Sequence, residues 1–181
     1  MILPRTSPLR TAMSQGFLLA TLCVTPAALA AQDTPSPTVA KMREASRLDL
    51  GGETGRARVL FQQLIDSAAT PAAKAAAQRA MAMSWAFEGD CANTVKYEEM
   101  VIAYWATREQ AEPQNAFYQQ GEMANEAARV CIDAGDLAAA DEWYRRGHAL
   151  VIKEPAPQTH PRSLWDYRLA HALGRLAARK G

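Results

Sequence analysis

The chain has 181 residues with 20 basic and 19 acidic side chains, a formal charge of +1. A balance this even gives no electrostatic footprint for nucleic acid or for an anionic membrane surface. The length suits one domain able to bury its own core.

Residues 1–30 differ in character from the rest. Arg5 and Arg10 are their only charges, and an apolar run from Gly16 to Ala30 ends in Ala28-Leu29-Ala30. A basic start, a short apolar middle and small residues at the last and third-last positions are the signature of a secretory signal peptide. The basic end stays on the cytoplasmic side, the apolar segment enters the translocon, and the peptidase pocket admits only small side chains. The sequence predicts cleavage after Ala30, leaving a periplasmic or secreted protein of 151 residues with 18 basic and 19 acidic side chains. The rival reading is an uncleaved anchor. A membrane helix needs about 20 apolar residues, whereas this run has 15 and is interrupted by Thr21, Thr25 and Pro26. Cys23 follows Thr21-Leu22 and lacks the small preceding residue of a lipid-modified cysteine. No stable membrane insertion is expected after cleavage. Residues 31–37, AQDTPSP, read as a flexible leader.

From residue 38 to 181 the pattern is helical throughout, with abundant alanine, few valines and isoleucines, and no sustained strand alternation. Thr70-Pro71, Glu112-Pro113 and His160-Pro161 place proline at helix starts, where its missing N–H costs nothing. Gly51-Gly52, Gly89 and Gly135 punctuate the alanine-rich runs. The spacing predicts seven helices: Thr38–Leu50, Thr54–Ser67, Pro71–Glu88, Ala92–Ala106, Pro113–Ala134, Leu137–Lys153 and Pro161–Lys180. Short connections favour antiparallel neighbours, giving an all-α fold of about three helical hairpins and a terminal helix.

The hairpins repeat. Ala124, Ala127, Ala128 and Cys131 line one face, Gly135-Asp136 makes a turn, and Ala140, Tyr144 and Gly147 follow on a second helix. The preceding hairpin has Gln78, Met81, Ala82 and Trp85, then Gly89-Asp90, then Thr94, Glu98 and Val101, with Glu98 where an aromatic would stand. The first has Ala45 and Leu48, Gly52-Glu53, then Ala57, Phe61 and Leu64, and its Lys41 and Glu44 fall on the face to be buried. Small residues that let two helices approach, a glycine turn and an aromatic filling the gap resemble tetratricopeptide repeats; other helical-hairpin solenoids are the alternative. The turn glycines lie 37 and 46 residues apart, where the family repeat is about 34; insertions near Thr70–Ala73 and Thr107–Gln114 account for the excess. The last helix carries Trp165, Leu169, Leu173 and Leu176 on one stripe and reads as the cap of an α-α solenoid.

The resemblance implies that the first helix of each hairpin lines a concave groove. In that frame Arg79, Met83 and Phe87 from the second hairpin, and Glu122, Asn125 and Arg129 from the third, form a mixed surface for a peptide or partner helix. Some family members hold a C-terminal carboxylate with lysines, asparagines and an arginine. Met42, Ser46, Ala80, Glu122 and Glu126 occupy those slots, so that mode is not expected.

Chemistry is harder to find. His148, His160 and His171 have no metal-ligand spacing with one another or with a cysteine. No Gly-x-Ser-x-Gly and no glycine-rich phosphate loop occurs, and Glu98-Glu99 point in different directions on a helix. No catalytic residue, metal site or cofactor is implied. Cys91 and Cys131 survive processing, and in the repeat frame they lie at the same end of neighbouring helices. An oxidising compartment allows a disulfide between them; two independent small core residues are the other reading. The aromatic doublets Tyr104-Trp105, Phe117-Tyr118 and Trp143-Tyr144, with Trp165 through Tyr167, pack between hairpins or present one ring for protein contacts. The expected function is a non-enzymatic module binding a partner protein or peptide in its groove. The alternatives are a structural subunit of an envelope complex joined by outer aromatic faces, and an enzyme without a recognisable motif.

Overall fold

The computed structural model describes residues 36–181; the expected cleavage site after Ala30 and nearly all of the expected leader lie outside the described residues. Seven helices make up the fold: α1 (Pro37–Leu50), α2 (Thr54–Asp66), α3 (Pro71–Phe87), α4 (Cys91–Ala106), α5 (Pro113–Ala134), α6 (Leu137–Val151) and α7 (Arg162–Lys180). No strand occurs among the described residues.

Helix starts follow local chemistry. The side chains of Ser36, Thr70, Asp90 and Asp136 accept the backbone N–H three residues on, at 3.3, 3.1, 2.9 and 3.0 Å; each such cap is worth about 1 kcal/mol. Because Ser36 is a cap, Pro37 is the first residue of α1 and not the last of the leader. Asp90 likewise draws Cys91 into α4, one residue before the expected start. At the far end α6 closes at Val151, two residues short of Lys153.

The three hairpin turns are the same turn. Glu53, Asp90 and Asp136 each donate their backbone N–H five residues back, to Leu48, Trp85 and Cys131, at 2.8, 3.1 and 2.9 Å. Between them Gly52, Gly89 and Gly135 have φ of 83°, 74° and 86°, a left-handed conformation that only glycine adopts without strain. Most of the difference between the two turn spacings lies in helix length. The helices α4 and α5 have 16 and 22 residues against 13 and 17 for α2 and α3.

Each helix packs on the next in sequence, and polar contacts sort the seven into two layers. Ser84 of α3 donates to Asp49 of α1 at 2.6 Å, Arg79 of α3 pairs with Glu126 of α5, and Arg168 of α7 pairs with Glu122 of α5. On the other side Tyr97 of α4 meets Gln62 of α2 at 3.5 Å, and Arg146 of α6 pairs with Glu99 of α4 at 3.1 Å. The odd helices form one layer and the even helices the other. Within the odd layer Glu122 and Asp133 of α5 pair in order with Arg168 and Arg175 of α7, so those helices run parallel.

The core between the layers has two parts, one around Phe61, Leu48 and Met81, the other around Met123, Ile132, Trp143, Tyr144 and Leu176. The repeat positions fill it. Ala45, Ala57, Ala82, Ala124, Ala127, Ala128, Cys131 and Ala140 have no exposed surface. Closest approach is between α5 and α6. A Cβ on Gly121 would stand 1.9 Å from Val151 Cγ1, and one on Gly147 would stand 3.1 Å from the Gly121 carbonyl. Near the turn end of these helices Cys91 and Cys131 are joined by a disulfide, with Cα atoms 4.7 Å apart, tying α4 to α5. The stripe of α7 is buried as expected through Trp165 and Leu176, with Ala172 between them.

Candidate functional site

The odd layer carries all six residues expected in a groove, in three local settings. Met83 and Phe87 lie on the last turns of α3 and line a hollow of about 220 Å³ with Leu50 and Asp49 of α1. Its rim is apolar and open, since Leu50 is 79% and Phe87 61% exposed.

Arg79, one helical turn before Met83 on α3, turns toward the protein. Its guanidinium reaches Glu98 of α4 at 3.1 Å and Glu126 of α5 at 2.7 Å and packs on Met123. Glu98 is completely buried. Desolvation is the main reason its carboxyl is pushed up to about 8; the Arg79 charge opposes the shift and Glu126 reinforces it. Burial thus favours the neutral form of Glu98 beside Arg79 and Glu126. The three residues come from α3, α4 and α5, at the seam between the two parts of the core.

The third setting is a cleft of about 260 Å³ between α5 and α7, floored by Ala172 and by Tyr144 of α6. Asn125 and Arg129 stand on the α5 wall, while Tyr167, Arg168, His171 and Arg175 form the α7 wall. Arg129 pairs with Glu126 at 3.6 Å and Arg175 with Asp133 at 3.6 Å, both loosely. Arg168 pairs tightly with Glu122 and lies 4.7 Å over the Trp165 ring. Asn125 is turned back to the Gly121 carbonyl at 2.9 Å. Burial pushes the Tyr144 phenol above its ordinary value, against the pull of Arg175 and Arg129, so the hydroxyl is a donor at any physiological pH.

Of the residues lining this cleft, the sequence singles out Asn125 and Arg129 but not Arg168, His171 or Arg175. Their spacing of three and four places them on one face of α7 beside the apolar stripe. That periodicity was a usable signal, but only the docking of α7 on α5 gives the stripe an opposing wall.

Two further hollows lie elsewhere on the surface. One of about 390 Å³ between α3, α4 and α5 is lined by Ala72, Ala76, Val101 and Trp105. In the other, Tyr118 and His160 stack on each other at 4.8 Å. Among the described residues no three His, Cys, Asp or Glu side chains converge as a metal site, and no helix is long and apolar enough to cross a membrane. In the doublets Tyr104-Trp105, Phe117-Tyr118 and Trp143-Tyr144 no ring is exposed; Phe87 and Tyr167 are the exposed rings among the described residues, and both belong to the odd layer. No protein-family model matches the chain, nor does any curated protein or solved structure.

Proposed function

We propose that the protein is an exported, non-enzymatic interaction module of tetratricopeptide-like type that holds a segment of a partner protein along its odd-helix layer. The observation that carries this is the composition of that layer. It places exposed Phe87, Leu50 and Tyr167 among arginines and carboxylates on one side of the molecule. Exposed apolar and aromatic side chains within a polar frame are the usual makeup of a protein-binding face. The three identical turns support the repeat assignment, and the Cys91–Cys131 bridge fits a compartment outside the reducing cytosol.

Site-specific photo-crosslinking in cell-envelope extract tests it. A photoreactive side chain at Phe87 or Tyr167 should trap the same partner. The same group at Val59 or Met100, exposed positions on α2 and α4, should trap none. Crosslinks confined to the even-layer positions would reverse the assignment of faces and favour assembly through the outer surface.

A further inference from the structure

We infer that the cleft between α5 and α7 receives an aspartate or glutamate side chain of the partner segment, clamped by Arg129 and Arg175. This rests on the odd layer being the binding face.

The cleft is rich in donors and poor in free acceptors. Arg129 and Arg175 each stand 3.6 Å from a single carboxylate oxygen, beyond the 2.7–2.9 Å typical of a charge-assisted hydrogen bond. Neither donates a hydrogen bond to another described residue, so both forks keep N–H groups for a ligand. Tyr144 and Tyr167 complete the lining on the floor and the α7 wall. The carboxylates present are already shared. Asp133 faces both Arg175 and Arg179, Glu126 faces both Arg79 and Arg129, and Glu122 is held by Arg168. Three arginines, Arg129, Arg168 and Arg175, line the cleft itself, and no carboxylate does. These cations stand in a partly enclosed cleft, where an added carboxylate gains more than on open surface.

Size decides what kind of anion fits. Sites for whole small-molecule ligands run from roughly 300 Å³ upward, and this cleft has about 260 Å³. It accommodates one side chain, with the rest of the partner lying along α5 and α7. This is not the expected-absent carboxylate clamp, whose slots lie at other positions. The ligand here is an internal side chain, and one wall comes from the last helix.

Panning a random peptide library on phage against the protein tests the inference. Peptides selected on the wild type should be enriched in aspartate and glutamate over the starting library. Changing the selected acid to its amide in a synthetic, C-terminally amidated copy should weaken binding about tenfold. Both effects should vanish in a double variant, Arg129→Gln with Arg175→Gln. These side chains are 51% and 41% exposed, so the variant should keep the wild-type melting temperature. A second double variant, Lys153→Gln with Arg162→Gln, removes two cations outside the cleft and should retain the acid preference. Selected peptides without acidic excess, or an excess that survives loss of Arg129 and Arg175, overturn the acid clamp while leaving peptide binding intact. Failure to select any peptide overturns both. Inorganic phosphate added alone is the remaining arm. If it raises the melting temperature of the wild type but not of the cleft variant, and no acidic peptide is selected, the cleft is a small-ion site and the inference falls.

Discussion

Glu98 should make the protein less stable as the solution becomes more alkaline. Its carboxyl is buried beside Glu126 and raised to about 8 in the folded protein, from an ordinary value of 4.5. Between those values the folded chain holds a proton that the unfolded chain has released. The stabilisation is therefore complete below about pH 4.5, declines with increasing pH, and is lost through pH 8. One pH unit in that range corresponds to about 1.4 kcal/mol, so about 2 kcal/mol disappears between about pH 6 and pH 8. Glu98→Gln keeps the shape and the hydrogen-bonding capacity toward Arg79 and Glu126 but cannot ionise. Urea denaturation at a series of pH values, wild type against variant, reads the effect. The wild type should lose stability relative to Glu98→Gln across the window, and the subtraction cancels any pH dependence common to the two proteins. If the difference between the two proteins is flat from about pH 6 to pH 8, Glu98 is already ionised and the neutral-acid assignment is wrong.

Gly121→Ala places a methyl group onto Val151 at the closest approach of α5 and α6, and should cost about 1–3 kcal/mol, visible as a lower melting temperature. Gly174→Ala, which meets nothing within 4 Å on a helix surface, should be neutral or stabilising in the same assay. Reducing the Cys91–Cys131 bridge, which spans 40 residues, should cost on the order of 4 kcal/mol by the chain-entropy model. An unmoved urea midpoint after both thiols have been titrated would contradict that. Mass spectrometry of the exported protein should find Ala31 at its N-terminus, and a membrane-bound product retaining residues 1–30 would overturn the export reading.

How far the sequence reached depended on whether a property is local. Helix starts at Pro71 and Pro113 and the turns at Gly89 and Gly135 are set by neighbouring residues, and the structure agrees with them to within a residue or two. The buried faces were also legible, because a period of 3.6 selects the side of a helix that carries Ala124, Ala128 and Cys131. Even the poor fit of α1 resolves locally. Lys41 keeps its charged end at the surface, donating to Gln63 at 3.1 Å, and Glu44 pairs with Arg47. What periodicity cannot supply is the partner across a gap. Arg79 lies on the expected layer, yet Glu98, which looked like a lapse in the repeat, supplies the buried acid that draws its guanidinium inward. The same limit holds for α7, whose stripe reads as a cap but does not give its ion pairs with α5.

That helix does two jobs because of where its two stripes fall. Below, Trp165, Ala172 and Leu176 close the core over α6, and truncating Leu176, 2% exposed, would remove buried surface worth about 2–5 kcal/mol. Above, Arg168, Arg175 and Arg179 tie α7 to Glu122 and Asp133 of α5. The cleft wall on the α5 side is fixed by the tight α5–α6 contact at Gly121 and Gly147 and by the disulfide to α4. The α7 side is held by one apolar stripe and by surface ion pairs, which contribute little individually. An acid entering the cleft would compete with Asp133 for Arg175, so binding should register as a shift of α7 against a fixed α5. On the proposed reading, rigidity on one wall and exchangeable ion pairs on the other would let α7 yield to the incoming acid without disturbing the core.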